Sequence, residues 1–259
     1  MKIFSKLIYM TLLLLAGTLS AQAYTIDDNY IGANPIYHPL YKTADIIGTA
    51  DNFQVSGMDI GITGNTLASV KIYTEYVKPL SDIGTLGTQL GDLFISTDGY
   101  TSGISLSDTW LTGEKWEYAL VFDNHLPKST STGTINLYKV TYGANGGQGN
   151  ILLTNNFKLP TWGDYRELQE TRINTCFTQF DLGNIGTWSI DSTNGIISFD
   201  IYNNDWLTGT DFGFHWNMTC GNDTIEGGVS APVPEPGTLL LLGGGLLGLA
   251  FYTKRRTKN

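Results

Sequence analysis

The chain has 259 residues, 24 of them acidic and 15 basic, so its formal net charge is −9 at pH 7. An acidic surface repels phosphate backbones, which argues against nucleic acid as a partner. The sequence contains no Gly-x-Ser-x-Gly, His-Glu-x-x-His or phosphate-loop pattern, so the common hydrolase, metalloprotease and nucleotide-binding signatures are absent. We therefore predict that the protein is not an enzyme, and we assign no catalytic residue.

The first 23 residues have the three regions of a secretory signal peptide. Lys2 and Lys6 supply the positive charge, residues 7–19 form the apolar run, and Ala21 and Ala23 are the small residues of the cleavage site. We predict cleavage after Ala23. An uncleaved N-terminal anchor is the alternative, and the two alanines argue against it. The body of the protein is then exported.

Residues 24–231 are predicted to form one all-β domain, an antiparallel β-sandwich of jelly-roll type, with a barrel as the alternative. The region is rich in turn residues and contains alternating segments. In residues 67–77, Val70 and Ile72 share a face opposite Lys71. Residues 212–218 alternate in the same way and are predicted to form the last strand. Apolar faces with this period must be covered by a second sheet.

Several elements can be placed from turn chemistry. Residues 187–190 and 196–201 flank a turn in which Asn194-Gly195 can adopt positive φ, so they are predicted to form a hairpin. Residues 116–123 and 134–141 are predicted to form another strand pair. The stretch 164–171 is the main helix-compatible segment.

Oxygen-rich turns offer candidate ligands for calcium, the one cofactor that the sequence suggests. They occur at residues 27–29, 200–205 and 221–223, and hard oxygen atoms are the ligands that calcium prefers. Asp27 and Asp28 are the first candidates. The alternative is structural, because Asp and Asn also cap backbone donors in turns.

Two tryptophans and two glutamates are candidates for carbohydrate chemistry. Trp110 and Trp162 lie beside Gly- and Thr-containing loops, where exposed rings could stack on sugars, although core packing is the alternative. Glu75 and Glu117 are the carboxylates considered for a glycoside hydrolase pair, with solvent-facing strand positions as the alternative.

Cys176 and Cys220 are the two cysteines of the chain, and both lie in the exported body. An oxidising compartment favours pairing them, so we predict a disulfide. Zinc is the rival interpretation, but two cysteines without a paired histidine make a poor zinc site.

The last 28 residues form a three-part tail. It begins with Pro234-Glu235-Pro236, continues with an apolar stretch over residues 238–253, and ends with a basic cluster. At about 1.5 Å per residue the stretch spans about 24 Å, slightly short of the ~30 Å hydrocarbon core, and we predict a transmembrane helix. The basic residues should stay cytoplasmic; they are Lys254, Arg255, Arg256 and Lys258.

This order of motif, apolar helix and basic end resembles the PEP-CTERM sorting signal of exosortase-processed bacterial proteins. The resemblance covers residues 232–259 and implies that a membrane exosortase cuts near the motif and passes the body to the envelope or outside. A permanent C-terminal anchor is the alternative. Residues 91–99 and 215–223 also resemble segments of uncharacterised exported PEP-CTERM proteins, which carries over no catalytic residue.

Both termini and the charge of the body point to one functional class. Six of the 15 basic residues lie outside residues 24–236, which leaves nine basic against 24 acidic residues and a charge of −15 for residues 24–236. We predict a non-enzymatic, exosortase-sorted protein of the envelope or extracellular matrix, associated with exopolysaccharide. The alternatives are a calcium-dependent carbohydrate-binding module and a polysaccharide-active enzyme.

Overall fold

The computed structural model describes residues 21–32, 45–78, 88–101, 109–126, 131–144, 147–157, 165–166, 168–202, 205–231 and 243–248. About half of them belong to β-strands, and a short helix, α1 (Ala50–Phe53), leads into the second strand. The strands are β1 (Ala21–Asp27), β2 (Val55–Thr63), β3 (Thr66–Thr74), β4 (Leu93–Ser96), β5 (Tyr118–Phe122), β6 (Thr132–Lys139), β7 (Ile151–Leu153), β8 (Glu170–Ile173), β9 (Asp181–Asp191), β10 (Ile196–Ile201), β11 (Asp211–Asn217) and β12 (Thr224–Ser230).

Ten strands form one antiparallel sheet in the order β1-β2-β3-β10-β9-β6-β5-β4-β11-β12. Its two edge strands approach each other, because a Cβ atom placed on Gly227 of β12 would lie 2.5 Å from Ile26 Cγ2 of β1. The sheet therefore curls into a nearly closed, barrel-like shape. The prediction of an all-β antiparallel domain is confirmed.

The main core fills the inside of this curled sheet. Val70 and Ile72 of β3 are fully buried while Lys71 is exposed, as the alternation predicts. A second apolar cluster covers the outer face of β4, β5 and β6, where the separate β7–β8 hairpin packs. Strands β4 and β5 are therefore buried on both faces. Members of the second cluster include Phe94, Trp110, Trp116, Ala119, Val121, Tyr138, Ile151 and Ile173.

Both predicted strand pairs are present. Strands β9 and β10 form a hairpin that closes from Asp191 to Ile196, and Gly195 has the positive φ of 69° that the turn requires. Strands β5 and β6 pair from Tyr118–Lys139 to Phe122–Ile135.

Two sequence predictions about elements were wrong. The end of the helix-compatible stretch 164–171 lies in β8, which pairs with β7. The strand predicted to be the last one, β11, is followed by β12, whose Gly227 and Gly228 weaken the strand signal. These glycines are needed because a Cβ on Gly228 would lie 2.6 Å from Tyr100 Cβ, as one on Gly227 would meet Ile26.

The predicted terminal segments are only partly described. Ala21 and Ala23 lie in β1, paired with Thr63 and Gly61, so cleavage after Ala23 would shorten the strand to residues 24–27. Residues 243–248 are helical, and no helix among the described residues is long and apolar enough to cross a membrane. The sorting motif, the basic tail and the remainder of the 238–253 stretch lie outside the described residues, and the division at residues 23 and 231 stays a prediction.

Candidate functional site

Three aspartates from distant parts of the chain meet at one end of the sheet. Asp28 follows β1, Asp45 begins the bend at residues 45–48, and Asp223 directly precedes β12. One carboxylate oxygen from each lies within 4.8 Å of one from each of the others. Two oxygen atoms bound to one calcium ion at about 2.4 Å are at most about 4.8 Å apart, so this spacing suits a shared cation.

Backbone contacts hold the aspartates in this arrangement. The Val55 N–H at the start of β2 donates to Asp223 Oδ2 over 2.6 Å. Asn222 accepts a hydrogen bond from the Ile47 N–H at 2.7 Å and donates its side-chain amide to the Ile47 carbonyl at 2.8 Å. The turn before β12 therefore fixes both the bend that carries Asp45 and the start of β2.

The carboxylate oxygens at the centre of this cluster lack donors. Asp223 is fully buried, and its Oδ1 has no hydrogen-bond partner among the residues that the structure describes. The same holds for Asp45 Oδ1, whereas Asp28 has the Tyr30 backbone N–H near enough to lower its pKa but no well-formed hydrogen bond from a described residue to either oxygen. A buried polar atom without a partner costs about 1–3 kcal/mol, and more when it is charged. The cluster therefore contains more hydrogen-bond acceptors than donors.

Burial is the main reason why the carboxyl groups resist ionisation. It raises the pKa of Asp28 to about 9, with Asp223 and Asp45 adding repulsion. Burial likewise raises the pKa of Asp223 to about 8 and raises the pKa of Asp45. The buried guanidinium of Arg166, which donates to the Asp45 carbonyl at 2.7 Å, opposes the shift at all three.

The cluster contains part of what the sequence predicts. Asp28 lies in it, whereas Asp27 is an exposed residue at the end of β1 and lies outside it. Asp223 belongs to the third oxygen-rich turn, and the turn at 200–205 contributes none of the three ligands. Asp45 carries no local signal, since only the fold brings it to the other two.

The tryptophan predictions have different outcomes. Trp110 is 7% exposed and packs in the second core cluster, so it is a core residue and not a sugar platform. Trp162 lies outside the described residues. The exposed rings are elsewhere: Trp206 is 49% exposed and Tyr202 is 56% exposed.

The predicted disulfide is not present, because both cysteines are free. Cys176 is exposed in the turn after β8, whereas Cys220 is buried in the turn after β11. Burial raises the pKa of the Cys220 thiol to about 12, so the thiolate needed for exchange is disfavoured.

Two histidines outside the aspartate cluster have structural partners. His125 Nε2 lies 2.7 Å from Asp92 Oδ1, and His215 Nδ1 lies 2.9 Å from Glu226 Oε2. Each pair is buried.

Glu75 and Glu117 are not brought together as a hydrolase pair. Glu75 pairs with Lys78 just after β3, whereas Glu117 precedes β5 and accepts the Thr97 N–H at 2.7 Å. Three strands lie between β3 and β5 in the sheet.

An open acidic cleft of about 500 Å³ lies on the surface near the end of β12. Asp98, Glu114 and Asp211 line it, and each accepts a hydrogen bond from a nearby residue. Tyr100 and Ser230 add polar groups to the same wall. The cleft therefore offers polar contacts and carries the negative charge of three carboxylates, with no basic residue among the described residues that line it.

Comparison with known proteins bears on the tail. Residues 232–256 match the model of the PEP-CTERM protein-sorting motif, and no curated protein or solved structure matches the chain. The matched region contains the Pro234-Glu235-Pro236 motif, the predicted span and the first three basic residues. This motif implies export, a membrane-anchored precursor and processing by an exosortase, a membrane enzyme. The chain is therefore a PEP-CTERM sorting domain-containing protein.

Proposed function

We propose that the protein is a non-enzymatic component of the cell envelope or extracellular matrix, released to that location when an exosortase cuts its tail. The sorting motif at residues 232–256 is the observation that carries this proposal. It begins two residues after β12, the last strand of the sheet in chain order. The domain is thus the cargo, and its role is exerted where sorting delivers it.

The bonding of the titratable residues supports a structural rather than a catalytic role. His125 is buried with its Nε2 against Asp92, and His215 is buried with Nδ1 against Glu226 and Nε2 against the Glu170 carbonyl. Glu117 is engaged with the Thr97 backbone. A general acid or base must reach the substrate proton, and residues held in this way are poorly placed to do so.

Intact mass of the protein from membrane and extracellular fractions of the native host tests the sorting step. We expect a species that begins at Tyr24 and ends near residues 234–236. Replacing Pro234, Glu235 and Pro236 by alanine should leave the tail uncut, while Pro232→Ala, just before the motif, should be processed normally. A wild-type protein that keeps Asn259 and stays in the inner membrane would contradict the proposal.

Exopolysaccharide is the proposed partner at the final location. The polar cleft near β12 and the exposed Trp206 are the surfaces that favour it, because sugars combine hydrogen bonding with stacking on flat rings. Co-sedimentation with polymer from the host should retain the wild type and lose Trp206→Ala. Leu111→Ala, at another exposed apolar side chain, is the matched control.

The same preparation separates the two alternatives. A polysaccharide-active enzyme would release reducing ends from the polymer, and Glu117→Gln would abolish that release. A calcium-dependent carbohydrate-binding module would lose polymer retention in chelator. Retention that survives chelation, without reducing ends, leaves the non-enzymatic matrix role.

A further inference from the structure

We propose that Asp28, Asp45 and Asp223 bind one divalent cation, for which calcium is the best match, and that the ion fastens the sheet at the seam between β1 and β12. This goes beyond sorting and does not depend on it. The seam is the gap between the two edge strands of the ten-stranded sheet. The carboxylate cluster lies where the seam begins, since Asp28 follows β1 and Asp223 precedes β12.

The donor set selects the kind of ion. All three ligands are carboxylates, which are hard oxygen donors, and they favour calcium over the nitrogen- and sulfur-seeking zinc. Their mutual spacing of at most 4.8 Å admits one ion between them. Calcium accepts six to eight oxygen atoms in variable geometry, so carboxylates in bidentate contact and water can complete its shell.

The unpartnered oxygens provide the independent reason to expect a ligand. Asp223 is fully buried, and its Oδ1 lacks a donor among the described residues, although the cluster surrounds it with other acceptors. An ionised carboxylate at such a position needs a counter-charge. A cation between the three side chains supplies that charge and a partner for each oxygen.

The charges in the cluster also match one divalent ion. Three ionised carboxylates and the buried guanidinium of Arg166 carry two net negative charges. Arg166 alone does not remove these two negative charges. Protonating two of the carboxyl groups would remove them, but those two groups would then no longer be ionised. One calcium ion removes them with all three carboxylates ionised.

The location gives the ion a mechanical role. Strands β1 and β12 are not neighbours in the hydrogen-bonded order, and the Ile26–Gly227 contact joins them by packing. An ion held by Asp28 and Asp223 would add a polar link to that packing. Asp45 and the Val55 bond to Asp223 extend the link to the bend and to β2. Calcium is plentiful outside cells, so the link would form after export.

Thermal unfolding of the full chain in a mild nonionic detergent tests the proposal, with calcium chloride or a chelator as the variable. The wild type should melt about 5–10 °C higher when calcium is a hundredfold above its Kd. Asp28→Asn and Asp223→Asn should each lose this shift. Asp27→Asn makes the same change at the exposed neighbour and should keep it.

The variants are informative in chelator as well. Replacing one carboxylate by an amide removes repulsion, so Asp28→Asn should melt no lower than the wild type when calcium is absent. A lost calcium response then cannot be attributed to poor folding. Equilibrium dialysis of the wild type against calcium alone gives the stoichiometry, with one ion per chain expected at the lowest occupied concentrations.

Three results would overturn the proposal. The first is a wild-type melt that does not change between chelator and millimolar calcium. The second is an equal calcium shift in the variants of Asp27, Asp28 and Asp223, which would indicate diffuse binding to the acidic surface. The third is dialysis that finds no saturable ion. None of these readouts involves exosortase processing, so failure here leaves the sorting proposal intact.

Discussion

Two buried aspartates, Asp92 and Asp223, show contrasting ways of holding a carboxylate inside this sheet. Asp92 Oδ1 lies 2.7 Å from His125 Nε2 and also accepts the Phe122 N–H, while its Oδ2 accepts the Ile173 N–H at 2.8 Å. Asp223 has the Val55 N–H on one oxygen and no described partner on the other. The protein satisfies the first carboxylate by itself, whereas the second lies among other acceptors.

The difference follows from where each residue lies. Asp92 directly precedes β4, in the part of the sheet that the β7–β8 hairpin covers, so backbone donors from β5 and β8 and the ring of His125 reach it. Asp223 lies at the seam, where the neighbouring side chains Asp28 and Asp45 are half-buried. The carboxylate in the covered part is bonded by the fold itself, whereas those at the seam are the ligands of the proposed ion.

The largest expected effect is that of Asp92→Ala. The change leaves His125 and the Ile173 N–H buried without their acceptor, and breaking such an arrangement costs about 3–5 kcal/mol of unfolding free energy. Urea unfolding should show the same loss in calcium and in chelator. Asp98→Ala, at an exposed residue, is the control with a small effect. If calcium restored the unfolding free energy lost in Asp92→Ala, the proposed difference between Asp92 and Asp223 would be contradicted.

Arg166→Met should give the next largest effect, and that effect should depend on calcium. Removing the guanidinium leaves three carboxylates without their positive neighbour, so we expect a loss of about 3 kcal/mol in chelator. Calcium should restore part of it by supplying charge. Arg172→Met removes a half-buried guanidinium outside the aspartate cluster, one that donates to Gln89 Oε1, and the loss should be equal in calcium and in chelator. Equal losses for Arg166→Met would contradict the proposed ion.

Packing across the seam should have a moderate effect. Gly227→Ala would place a Cβ 2.5 Å from Ile26 Cγ2, and overpacking of this kind costs about 1–3 kcal/mol. Ile26→Ala removes the clashing methyl group, so Gly227→Ala should cost less in that background. The double-mutant cycle, measured by urea unfolding, reports the coupling. Additive losses would mean that the edge strands do not press on each other.

The fold was predictable from the sequence where one face of a strand is buried. Val70 and Ile72 alternate with Lys71 because β3 separates the core from solvent. Strand β12 was not predicted, because its glycines are required by close contacts with Ile26 and Tyr100, which are remote in the sequence. The stretch 164–171 was misassigned because β8 takes its conformation from pairing with β7.

The candidate site was predictable to the extent that its turns are rich in oxygen atoms. Asp28 and Asp223 lie in such turns, but Asp45 joins them through contacts that no local pattern records. The disulfide prediction rested on the compartment alone. The compartment does not determine which cysteines are buried. Cys176 is exposed and Cys220 is buried, and the two are not bonded to each other.

The two free cysteines allow the smallest effect to be measured within one molecule. Cys220 lies three residues before Asp223, and its thiol can react only when the turn before β12 opens. Cation binding stabilises the closed turn, so calcium at ten times its Kd should slow alkylation of Cys220 about tenfold. Exposed Cys176 should react at the same rate in calcium and chelator, which controls for reagent chemistry. Equal slowing at both thiols, or none at Cys220, would show that calcium does not hold the seam.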